Sequence, residues 1–127
     1  MSTSNQQKKS KLATSVVQTG NTSILEWQVF GFSQVGVHIA VTGQALDAFI
    51  IQGRWHDDAS YETLFSAAAD FTSPTGILVG ASGDLTTLAA GATGWFSMDL
   101  KGLYEIKLLA SSGHADGSTV SVYAGGS

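Results

Sequence analysis

From Ile24 onward, apolar and polar residues alternate with the two-residue period of a strand that buries one face. Leu25, Trp27 and Val29 fall on one side, with Glu26 and Gln28 on the other. Val35, Val37, Ile39 and Val41 alternate with Gln34, Gly36, His38 and Ala40. Residues 46–56 are apolar on both sides through Phe49, Ile50 and Ile51, which predicts a central strand covered on both faces. Residues 61–65 follow the polar turn Asp57-Asp58-Ala59-Ser60, and 77–79, 85–88 and 95–100 are shorter runs between glycine-rich turns. In 103–109 the pattern places Tyr104, Ile106 and Leu108 inward, Glu105 and Lys107 outward. Asp116-Gly117, a strong hairpin dipeptide, introduces a last strand at 119–123.

Short strands about ten residues apart, broken by glycine turns, predict an all-β chain. The expected fold is an antiparallel β-sandwich, jelly-roll-like, of about eight strands. Trp27, Phe49, Ile51, Tyr104 and Ile106 are the expected core. No segment keeps a 3.6-residue period over three turns. Residues 66–71, with Ala67, Ala68 and Ala69, can form one helical turn but are too short to stand alone.

Residues 1–23 break the pattern. They hold no acid and no aromatic, while all ten acids and all twelve aromatics come later. Lys8, Lys9 and Lys11 give this arm a charge of +3; three cations against ten acids leave −7 on residues 24–127. The reading is therefore an extended N-terminal arm, 1–23, on a sandwich domain, 24–127. Such an arm buries too little apolar surface to order itself, and a neighbouring subunit is the simplest thing to order it. Leu12, Val16 and Val17 suit an additional edge strand within 12–19. Fully extended, residues 1–11 span at most about 36–40 Å, enough to reach another subunit.

Charged residues are 13% of the chain, about half the usual share for a soluble domain, which fits a surface partly covered by partners. With no cysteine, disulfides and thiolate chemistry are excluded. The start has no apolar signal-peptide core and no run approaches a membrane span, so synthesis in a cytoplasm and no membrane partner are expected. The net charge of −4 argues against nucleic acid as a partner.

His56-Asp57-Asp58, with Glu62 nearby, is the densest polar cluster, and imidazole with carboxylates is capable of metal binding or acid–base work. The spacing matches no ligand motif, and a turn whose aspartates bond nearby amides is preferred. His38 and His114 have no activating sequence neighbour, and no Gly-x-Ser-x-Gly elbow occurs. The loops 80–84 and 91–94 lack the Lys-Ser/Thr ending of a phosphate loop. Asn21-Thr22-Ser23 is a glycosylation sequon without a secretory signal. No catalytic, cofactor or metal residue is assigned, and the expectation is a protein that is not an enzyme. Trp27, Trp55 and Trp95 invite a sugar-stacking reading, but apolar neighbours favour burial in the core or an interface.

Residues 64–127 resemble small virion structural proteins of tailed bacteriophages. The likeness is carried by Ala68-Ala69-Asp70-Phe71-Thr72-Ser73-Pro74, by Ala81-Ser82-Gly83-Asp84-Leu85-Thr86-Thr87-Leu88-Ala89-Ala90-Gly91, by Leu108-Leu109-Ala110-Ser111-Ser112, and by Gly117-Ser118-Thr119-Val120-Ser121-Val122. It covers about half the chain as phrasing, without a diagnostic motif. The resemblance implies a β-sandwich that decorates or cements a capsid, located in the virion after assembly in the host cytoplasm. It implies homo-oligomers and the major capsid protein as partners. A tail or neck component, or a receptor- or glycan-binding module, is the alternative. The expected partner-binding residues are Lys8, Lys9, Lys11, Leu12, Val16 and Val17.

Overall fold

A computed structural model gives the structure, and it describes residues 10–17, 20–73, 77–111 and 117–127. The chain runs through β1 (Ser10–Val17), β2 (Thr22–Gln28), β3 (Gln34–Thr42), β4 (Leu46–Asp47), β5 (Phe49–Arg54) and β6 (Glu62–Phe65). There follow α1 (Ala68–Thr72), β7 (Leu78–Ala81), β8 (Thr87–Leu88), β9 (Thr93–Asp99), β10 (Glu105–Ala110) and β11 (Ser118–Gly126). One sheet has the order β1-β11-β3-β9-β7, a second β2-β10-β5-β6, and β4 pairs with β8 as a small ribbon. All pairings are antiparallel.

Eight of these strands make the expected fold. Without β7 and the ribbon, the sheets read β1-β11-β3-β9 and β2-β10-β5-β6. That is the strand order of a jelly roll, two Greek keys wrapped into a sandwich. Eleven strands are described rather than eight because β7 extends one sheet and β4, split from the run 46–56, pairs with β8 as the ribbon. The split falls at Ala48, which takes a positive φ of 55° and turns the chain between ribbon and sheet. β1 falls within the residues expected as the arm, and it pairs with β11 of the same chain over its whole length, from Ser10↔Gly125 to Val17↔Ser118.

Alternation builds the core as expected. Val35, Val37, Ile39 and Val41 from β3 face Phe49, Ile51, Ile106 and Leu108 from the opposite sheet, all buried. Trp27 is 3% exposed. Tyr104 departs from expectation: it is only half-buried and lies on the outer side of the second sheet. Lys101 and Gly102, both with positive φ, turn the chain there, and Leu103 takes the core position while β10 starts only at Glu105. Glu105 does face outward, yet is 8% exposed, because Arg54 covers it.

The one described helix is the single turn expected near 66–71. Asp70 accepts the amide hydrogens of Ser66 and Ala67, each at 3.0 Å, and Phe71 is buried against Phe65.

Candidate interaction surface

The two outer faces of the sandwich differ in chemistry. The four-stranded sheet presents Glu26, Arg54, Glu105 and Lys107. Arg54 is its hub. Its Nε and Nη2 donate to one Glu105 carboxylate oxygen, and Nη1 donates to the carbonyls of Asp57 and Ala59, pinning the β5–β6 turn. The guanidinium lies 5.0 Å from the Tyr61 ring centre and 5.8 Å from that of Tyr104, and Lys107 Nζ is 5.0 Å from Tyr61. The Glu105 hydrogen bond raises the Arg54 pKa. Burial, then the neighbouring Glu105 carboxylate, push the Tyr61 hydroxyl up from its ordinary value. With its groups committed to one another, this face is a braced wall.

The five-stranded sheet is the opposite case. Its outward positions are Thr119, Ser121, Tyr123 and Gly125 on β11, the even positions of β3 from Gln34 to Thr42, and Thr93, Trp95, Ser97 and Asp99 on β9. Among these, Asp99 is the single acid, at the margin, and Lys101 Nζ is 3.4 Å from it. Register draws the rest into rows across the strands. Tyr123 pairs with His38 and His38 with Trp95, forming an aromatic ridge; the His38 and Tyr123 ring centres are 6.1 Å apart. Trp95 is 48% and Tyr123 53% exposed. The indole leans over β7, where a Cβ on Gly80 would stand 3.6 Å from it. Beside the ridge, Gly125, Gly36 and Ser97 pair in the next row and floor a hollow of about 320 Å³, closed at the end by Gln34 and Ser127. On the other side the row is Ser121, Ala40 and Thr93, with Thr14 Oγ1 3.4 Å from Ser121 Oγ.

The expected arm residues enter this surface in part. Lys8 and Lys9 lie outside the described residues. Backbone register pairs Leu12 with Tyr123 and Val16 with Thr119. Lys11 stands opposite Ala124 and Val17 opposite Ser118; Val17 is fully buried. Sequence reading missed the ridge and hollow. The signal was present: outward positions of three strands carry almost no charge, while those of β2, β5 and β10 include Glu26, Arg54, Glu105 and Lys107.

Trp27 is core as expected, but Trp55 and Trp95 are not: both are exposed, at 42% and 48%. Trp95 occupies an outward strand position, and Trp55 follows β5, with its Nε1 donating to the Lys101 carbonyl at 3.3 Å. His56, Asp57 and Asp58 form an exposed turn, as preferred. His56 Nδ1 accepts the Asp58 amide at 3.1 Å and stands 3.0 Å from Asp57 Oδ1, and one ligand atom from each of the three side chains lies within 4.8 Å of the others. Glu62, on β6, is outside this group. His114 lies outside the described residues, and His38 is in the ridge.

No protein-family description and no curated protein sequence matches this chain. Among solved structures, the crystal structure of SPBc2 prophage-derived protein YomS is similar, with a TM-score of 0.51 and 13% identity, over 93% of this chain and 95% of that one. At that identity the likeness shows the fold, and the sandwich described above is one shared with a protein of prophage origin.

Proposed function

We propose that this chain is a structural subunit of a phage particle, one that decorates or cements the capsid shell through contacts between subunits, and that it is not an enzyme. The observation that carries the reading is the segregation of charge: one sheet is braced by its own ion pair, while the other presents an uncharged outer face bordered by β1. Exposed aromatic side chains such as Trp95 and Tyr123 on that face are the kind enriched at protein interfaces. Among the described residues β1 has a sheet neighbour on one side only, so its free edge can accept a strand from a partner by backbone pairing. Lys8, Lys9 and Lys11 lead into that edge and complement acidic surface, on the −7 body of another copy or on the major capsid protein. The jelly roll is a fold of viral capsids and of lectins, so it supports the reading as analogy only. Repeated attachment over a lattice strengthens the hold without a strong single site.

The test is a cryo-EM map of particles produced from a genome encoding this chain, with mass spectrometry of the purified particles. Many copies over the head shell are expected. A single ring at the neck or along the tail assigns it to that part instead, and absence from particles ends the reading. A second reading, a glycan-binding module, is favoured by the exposure of Trp55 and Trp95. Glycan-array binding lost in Trp55→Ala or Trp95→Ala would establish it.

A further inference from the structure

We infer that the uncharged face of the five-stranded sheet is covered by the same face of a second copy, with the aromatic ridge of each seated in the glycine–serine hollow of the other. The inference deepens the structural-subunit reading and rests on it.

Three observations select this occupant. The first is shape. The ridge of Tyr123, His38 and Trp95 and the hollow over Gly125, Gly36 and Ser97 are neighbouring rows, crossing the same three strands in parallel. A two-fold axis lying between the rows and along them exchanges the two, placing ridge over hollow twice in one isologous contact. The second is charge. Each chain carries −4 overall, and the opposite sheet bears charged residues across its width, so two copies approach with least repulsion through the face that has none but the Lys101-paired Asp99. The third is extent. Five strands at about 4.8 Å and about six residues at 3.3 Å give roughly 480 Å² in plan per copy, hence about 1,000 Å² for the pair. That is the size of a weak, reversible contact, below the roughly 1,200 Å² of a standard stable interface. A bound sugar needs only the aromatic row, whereas the uncharged character continues through Ser121, Ala40 and Thr93.

Sedimentation equilibrium of the full-length chain tests this. The native protein is expected to show a concentration-dependent species of twice 13.2 kDa. Gly36 provides the discriminating variant, because a Cβ there meets nothing within 4 Å and its backbone is extended. Gly36→Gln fills the hollow and leaves the single subunit intact, which its circular dichroism and melting curve verify. It is expected to weaken association at least tenfold, and Ser97→Gln and Trp95→Ala to do likewise. A native chain that stays monomeric at every concentration overturns the inference, as does a dimer indifferent to Gly36→Gln. Neutral oligosaccharides that quench Trp95 in a monomeric native chain overturn it in favour of a sugar. A particle map with this face against the shell protein overturns the inference and leaves the structural reading standing. A Gly36-sensitive dimer absent from purified particles supports the inference and removes the structural reading.

Discussion

Arg54 on β5 and Glu105 on β10 stand directly opposite in the sheet register, and two guanidinium nitrogens donate to a single carboxylate oxygen. The same arginine holds the carbonyls of Asp57 and Ala59, so one side chain ties a turn to the middle of a sheet. Charge-assisted bonds of this kind are stronger than neutral ones. Glu105→Gln keeps the shape and removes the charge, and is expected to lower the melting temperature by about 4–8 °C for a domain of this size. Scanning calorimetry checks it. Arg54→Gln is expected to cost more than Glu105→Gln, because it also frees the turn and leaves the covered carboxylate without its cation. A reversed order would show that the turn is held elsewhere.

Tyr61 sits beside that pair, its hydroxyl enclosed with no hydrogen bond of good geometry, although the Glu105 carboxylate held by Arg54 lies close enough to raise its pKa. An enclosed hydroxyl without a partner costs stability, and its removal recovers some. Tyr61→Phe keeps the ring against Arg54 and Lys107, and is expected to be as stable as the native chain or more so by about 0.5–1 kcal/mol in urea titration. The pH dependence follows from the raised pKa. The folded chain keeps this proton where the unfolded chain, titrating near 10, has lost it. Stability is therefore unaffected below about pH 10 and falls as pH rises above it. In Tyr61→Phe that alkaline fall is expected to be shallower.

Asp70 works in the opposite sense. Two backbone amides hydrogen-bond its carboxylate and hold its pKa below the usual value. The contribution is present above the unfolded carboxyl pKa, about 3.9, and is lost as pH falls through the lower folded value. Asp70→Ala is expected to cost about 0.5–1 kcal/mol at neutral pH, as loss of a helix cap does, and little at pH 2. Equal costs at both pH values would mean that the side chain acts through packing alone.

The sandwich was legible because period-2 alternation and burial are one fact: Val35, Val37, Ile39 and Val41 read as core and are core. Strand order was not, because it is fixed by long-range pairing such as Glu105 with both Gln28 and Arg54, which no local pattern encodes. Tyr104 misled because the alternation was carried back one residue beyond the start of β10, towards the turn at Lys101 and Gly102. The ridge went unread for a related reason. His38, Trp95 and Tyr123 are 57 and 28 residues apart in sequence, and only antiparallel register sets them in one row.

Trp95 and Trp55 supply the last test, because their surroundings differ although their exposures are alike. Trp27 is buried at 3%, so acrylamide quenching at low protein concentration should resolve one protected and two accessible indoles. Trp95 lies on the uncharged face, whereas Trp55 lies beyond β5, tied to the Lys101 carbonyl. Raising the protein concentration should protect Trp95 if a second copy covers that face, and leave Trp55 accessible. In Trp55→Phe the accessible signal comes from Trp95 and is expected to diminish as concentration rises. In Trp95→Phe the accessible signal comes from Trp55 and is expected to stay constant. Concentration-independent quenching in both variants would show that the ridge stays open in solution. Protection of Trp55 with Trp95 still open would move the contact to the end of the sandwich, where Phe30, at 60% exposure, lies 6.2 Å from the Tyr104 ring.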